Sequence, residues 1–130
     1  MSEKYIVFDV ETPNSANDRM SAIGLAVVEG DRIVEEFSTL INPEVYFNRF
    51  NIQLTGISPE DVVDAPTFSD LWPSLKCMLE GGILIAHHAP FDMSVLAKCL
   101  DAYGIFWKEF AAYACTCQMG RRCYPDLPNH

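Results

Sequence analysis

Hydrophobic positions fall into short runs separated by turn chemistry, and the period of each run predicts its element. Tyr5 to Val10 (YIVFDV) is an apolar, β-branched run of strand length, which predicts a buried central strand. Thr12-Pro13-Asn14-Ser15 and the polar residues to Arg19 predict a loop. Ala22 to Val28 and Arg32 to Ile41 flank Glu29-Gly30-Asp31, a hairpin signal in which the Gly-Asp pair makes the turn. Val45 to Leu54 is aromatic and irregular, consistent with a short helix or an ordered loop ending at Gly56. Ser58-Pro59-Glu60-Asp61 carries a helix start: a hydroxyl cap, a proline in the first turn, then acids at the positive end of the dipole. Thr67 offers a second cap for Phe68 to Glu80, with Gly81-Gly82 to stop the helix. Pro73 should kink this helix or move its start toward Leu71.

Ile83 to Ala86 (ILIA) predicts a second buried strand, and Ala89-Pro90-Phe91-Asp92 opens a helix through Tyr103 that Gly104 ends. Met93, Leu96, Ala97 and Leu100 supply its apolar stripe. Ala111 to Ala114 suggests a third strand, and Thr116 a cap for a last short helix. The order is strand, hairpin, helix, strand, helix, strand, without repeats or a linker. It predicts one α/β domain over residues 1–130, built on a mixed sheet with flanking helices.

Composition narrows the class. With 130 residues, 49% hydrophobic, the chain can bury one core but not two. No run approaches the ~18–20 apolar residues of a membrane span. Met1-Ser2-Glu3-Lys4 leads straight into a strand without a signal-peptide pattern, so a cytoplasmic protein with no membrane contact is expected. The net charge of −9 argues against a broad basic nucleic-acid face, but not against a small acidic site that meets phosphate through cations. Five cysteines, an odd count, point to reduced thiols, with Cys77 and Cys99 read as small buried hydrophobes. Cys115, Cys117, Cys123 and His130 match none of the usual zinc spacings.

The candidate chemistry lies in three acids. Asp9 and Glu11 are two apart at a strand end, so both project from one face, with Cα atoms roughly 6–7 Å apart. Two anions at the rim of an apolar sheet share a proton or bind a cation. Asp92 opens the helix after the second strand; alone it would merely stabilise that helix start. If the two strands are parallel neighbours, all three carboxylates meet at the carboxyl rim of the sheet, where α/β folds bind ligands. Such an oxygen set suits Mg²⁺ or Mn²⁺, and through them a phosphate. His87 and His88 stand between the strand and Asp92, and alternation lets at most one of them face that rim.

FDVETPN (Phe8 to Asn14), LTGISPEDVVDAPTF (Leu54 to Phe68) and ILIAHHAPFD (Ile83 to Asp92) occur in this order. Together they resemble the first exonuclease motif, the intervening segment and the second motif of the DEDD exonucleases of the DEDDh type. The resemblance covers about residues 4–130 and is strongest to the proofreading epsilon-type subunits and exonuclease domains of bacterial DNA polymerase III. It implies a ribonuclease-H-like fold and a two-ion Mg²⁺ or Mn²⁺ mechanism. Asp9 would bridge both ions, Glu11 would hold the one that activates water, and Asp92 the other. The implied reaction is 3'-5' release of nucleoside 5'-monophosphates from single-stranded DNA ends, in replication proofreading or repair, with a DNA polymerase subunit as partner. Thr12, Leu54, Thr55, Phe91 and His88 would lie on the substrate side.

Three departures stand out. His88 replaces a frequent asparagine, Pro13-Asn14 a Thr-Gly, and Thr55 a frequent histidine. The third motif, a general-base histidine and a fourth carboxylate five residues later, is missing from these residues, along with the C-terminal helix or helices that carry it. His130 lies upstream of that motif. General-base help is worth about 10²–10⁴-fold, so these 130 residues alone are expected to turn over little or no substrate. The alternative readings are a catalytically silent binding module on the same fold, and an RNA-directed exonuclease of the same family.

Overall fold

The computed structural model describes residues 4–80, 82–86 and 89–107. His87, His88, His130, the 111–114 strand, the Thr116 cap and Cys115, Cys117 and Cys123 therefore lie outside the described residues.

Four strands form one mixed sheet in the order β3-β2-β1-β4. Strand β1 is Lys4–Glu11, β2 Ala22–Glu29, β3 Arg32–Leu40 and β4 Ile83–Ala86. β1–β2 and β2–β3 are antiparallel, the latter with an irregularity at Val27/Val28. β4 lies parallel to β1, with Tyr5 to Phe8 opposite Ile83 to Ala86. The helices are α1 (Arg49–Thr55), α2 (Phe68–Leu79) and α3 (Ala89–Ala102).

The core occupies one side of the sheet. Ile6, Phe8 and Val10 of β1 and Ile23, Leu25 and Val27 of β2 are buried, in one cluster with Leu75 and Leu79 of α2 and Val95, Leu96, Cys99 and Leu100 of α3. The alternate residues are only partly covered, so β1 is interior in strand order but buried on one face rather than two. β4 departs further from expectation. It is an edge strand among the described elements, and only Leu84 is buried. Gly82 is needed at its entry, because a Cβ there would overlap the Lys4 carbonyl oxygen of β1.

Three other local expectations are settled in detail. The helix start at Ser58 is realised as a single 3₁₀ turn, Pro59–Val62. α2 begins at Phe68 and carries Pro73 inside it. Proline costs a helix interior about 3 kcal/mol. Against it stand the Thr67–Asp70 capping box, about 1 kcal/mol, and burial of Phe68, about 1.5–3 kcal/mol. The Phe68 ring also stacks on Trp72 at 5.6 Å and on Tyr103 at 5.8 Å. Finally, the buried stripe of α3 is Asp92, Val95, Leu96, Cys99 and Leu100, whereas Ala97 faces outward, as does Cys77 on α2.

Candidate active site

The parallel β1–β4 pair brings two chain segments to one rim. β1 ends in Asp9, Val10 and Glu11; alternation buries Val10 in the core and leaves Asp9 exposed and Glu11 half-buried on the other face. β4 ends beside Phe8, and α3 starts soon after it. Asp92 sits in the first turn of α3 and is 1% exposed.

The three acids share one electrostatic field. The Glu11 carboxyl is pushed above its ordinary value of 4.5 by burial first, then by the negative charges of Asp9 and Asp92. Among the described residues, no three His, Cys, Asp or Glu side chains are grouped closely enough to hold a metal ion. The corner is thus a concentrated negative field of hard oxygen donors, right in kind and charge for a divalent cation, and not a closed cage. On the same face as Asp9, its ladder partner Gly24 has no side chain. A shallow depression of about 430 Å³ opens there, lined also by Val7, Ala26, Glu36 and Ser38.

Immediately after Glu11 the chain is held tightly. Thr12, Pro13 and Asn14 are all buried. The Asn51 side-chain amide of α1 donates to the Thr12 carbonyl at 3.0 Å and to its hydroxyl at 3.1 Å. The Asn48 backbone N–H donates to the Pro13 carbonyl at 3.0 Å. Asn14 donates from Nδ2 to the Tyr46 carbonyl at 2.8 Å, while its Oδ1 accepts from the Ala16 N–H. α1 is therefore fastened to the loop that follows the acidic pair.

Of the expected substrate-side residues, Thr12 is in this fastening and Leu54 is 69% exposed on α1. Thr55 uses its hydroxyl locally, donating to the Asn51 carbonyl at 2.8 Å and accepting from the Ile57 N–H at 3.1 Å, so it closes the helix end. Gly56 completes that end in the left-handed region, with φ 76. Phe91 is half-buried against the core, and His88 is outside the described residues. The sequence reading missed Asn51. The signal that was available is Asn48 three positions earlier, the spacing of an N-cap to the N–H it accepts from, here at 2.7 Å.

Comparisons with known proteins converge on one chemistry. Residues 6–130 match the RNase T family model, described as an exonuclease. The chain is 31% identical over 129 residues to a PolC-type DNA polymerase III of Caldanaerobacter subterraneus subsp. tengcongensis, covering 98% of this chain and 9% of that protein. To the PolC-type DNA polymerase III of Bacillus subtilis it is 32% identical over 130 residues, with the same 98% and 9% coverage. The chain thus spans about a tenth of the length of these relatives. Among solved structures, Exonuclease X in complex with 5' overhanging duplex DNA superposes with a TM-score of 0.61 at 25% identity, covering 70% of this chain and 52% of that one. No helix among the described residues is long and apolar enough to cross a membrane.

Proposed function

This chain belongs to the RNase T family of exonucleases, and from that premise we propose that it supplies the acidic, strand-end half of a metal-dependent 3'-5' exonuclease acting on single-stranded DNA. The observation that carries the reading is the field shared by Glu11, Asp9 and Asp92 at the rim of two parallel strands. In this reading Asp9, Glu11 and Asp92 hold two divalent ions, Mg²⁺ or Mn²⁺. Bound there, the ions would supply charge stabilisation at phosphorus and a nucleophilic water at neutral pH.

The chain's own residues do the remainder. Glu11, half-buried beside two further negative charges, is a carboxylate whose ionised form a bound cation would favour, which suits it to hold an ion rather than a proton. Asp92, fully buried on a helix, fixes one anion that cannot swing away. Thr12, clamped through both its oxygens, presents the loop against which the terminal nucleotide rests, and Leu54 offers it an apolar surface. The product is a nucleoside 5'-monophosphate. The likeness to PolC-type polymerases supports a polymerase-associated, proofreading setting and a cytoplasmic protein.

The binding part is testable on these 130 residues. Mn²⁺ is expected to raise the melting temperature, and Asp9→Ala to abolish the rise while the variant stays folded. An unchanged rise in Asp9→Ala would remove the site. For the hydrolytic part, a 5'-labelled single strand should shorten stepwise when the histidine–aspartate motif is also present. Shortening of a 3'-labelled strand from its 5' end would overturn the polarity.

A further inference from the structure

We propose that Asn51 is a positioning residue for substrate: by giving both hydrogens of its side-chain amide to Thr12, it leaves the Thr12 hydroxyl hydrogen as a fixed donor for the 3' sugar hydroxyl of the terminal nucleotide. The proposal rests on the exonuclease reading and assigns the residue that makes one contact of that site selective.

The polarity follows from two distances. The Asn51 amide nitrogen lies 3.0 Å from the Thr12 carbonyl oxygen and 3.1 Å from the Thr12 hydroxyl oxygen. A carbonyl oxygen only accepts, so the NH₂ end of the amide faces Thr12 and the oxygen end does not. That nitrogen has two hydrogens and accepts nothing, so one goes to the carbonyl and the other to the hydroxyl oxygen. Toward Asn51 the hydroxyl is therefore an acceptor, and its own hydrogen is left to give elsewhere. No acceptor for that hydrogen is present among the described residues. Asn51 is held on both sides: its backbone N–H donates to the Asn48 side chain at 2.7 Å, and its carbonyl accepts from the Thr55 hydroxyl at 2.8 Å.

Burial gives that hydrogen its value. Thr12 is 5% exposed and Asn51 6%, and a buried donor without a partner costs free energy until an acceptor arrives. A nucleotide brings three kinds of acceptor. Its phosphate oxygens go to the cations held by the acids. Its base edges differ among the four bases, and an exonuclease that read them would stall at some sequences. The 3' hydroxyl is common to every nucleotide and stands free only at a strand end. It is the acceptor that a single donor, fixed one residue beyond Glu11, can read.

The test uses the whole 130-residue chain with Ca²⁺ as the ion. Titration calorimetry compares thymidine 5'-monophosphate with its 2',3'-dideoxy analogue, which lacks the 3' hydroxyl. Wild type is expected to prefer the hydroxyl-bearing ligand about 3- to 10-fold. Asn51→Ala frees the Thr12 hydroxyl to turn, and Asn51→Asp keeps the side-chain shape but offers only oxygens, which claim the hydroxyl hydrogen. Both are expected to erase the preference by weakening the hydroxyl-bearing ligand alone. Thr12→Val should erase it too, and adding Asn51→Ala to Thr12→Val should alter the ratio no further. A wild-type ratio in the Asn51 variants would overturn the proposal, and an equal loss of both ligands would reduce Asn51 to a structural clamp. A wild-type ratio in Thr12→Val would overturn it whether or not the Asn51 variants fold, which circular dichroism checks. If wild type binds both ligands equally and only with the ion, the proposal falls while the exonuclease reading stands. If wild type binds neither, both fall.

Discussion

α1 and α2 are built inside out with respect to each other. α2 buries Phe68, Leu75 and Leu79 and turns polar residues to solvent, so the hydrophobic effect holds it to the sheet. α1 buries a single asparagine and turns Phe50 and Leu54 outward. Hydrogen bonds to Thr12 and Pro13 hold it instead. The difference separates two kinds of attachment: α2 is held by apolar burial, whereas α1 gives up apolar burial and is held by hydrogen bonds in register with the acidic rim. A helix held by directional bonds is fixed in position but contributes little net stability, since each such bond is worth only about 0.5–1.5 kcal/mol.

The contrast can be broken from the α2 side first. Leu75→Ala removes a fully buried side chain and is expected to cost about 2–5 kcal/mol in urea unfolding. A loss below 1 kcal/mol would mean that α2 is not the stabilising helix. Asn51→Ala comes next. It leaves the Thr12 carbonyl and hydroxyl without their buried partner, for about 1–3 kcal/mol, and should loosen Mn²⁺-dependent strand binding more than Leu75→Ala does at matched stability. Equal binding in the two variants would show α1 to be scaffold only.

A third measurement sharpens the rim to which α1 is fastened. Glu11 has a folded-state pKa above its ordinary 4.5. Its ionisation therefore opposes folding: the folded state is unpenalised below 4.5 and loses stability as pH rises through the raised value. In EDTA, Glu11→Gln is expected to melt higher than wild type above that window and alike below it. A pH-independent difference would break the shared-field account. The smallest effect is Phe50→Ala, which should change stability by no more than about 0.5 kcal/mol, because an exposed ring has little to lose.

Much of this was readable in the residues, and the limits have physical causes. Strand parity alone placed Asp9 and Glu11 on one face, and the parallel neighbour needed to bring Asp92 to them is the one the structure has. The hairpin followed from Gly30-Asp31, whose turn chemistry is local. The inside-out helix did not follow, because period arguments assume that apolar means buried, and α1 violates that rule at Phe50 and Leu54. The helix start read at Ser58 is present but runs for a single 3₁₀ turn, for the complementary reason. Caps mark where a helix starts, but only packing sets how far it runs, and Val62 is the one buried residue of that turn. Ile83 to Ala86 read as a buried strand because a short apolar run looks the same on an edge as in a centre.

The short β1–β4 ladder has a consequence in time as well as in space. The β1–β2–β3 meander joins neighbours in sequence, and its turns can close early. Asp92 reaches its partners only after Ile83 to Ala86 has found Tyr5 to Phe8 across most of the chain, with four residues of pairing to reward the loop closure. The acidic corner is thus expected to assemble late in folding. Until it does, Asp9 and Glu11 are an ordinary pair of strand-end acids, and the three-carboxylate field that defines the site does not yet exist.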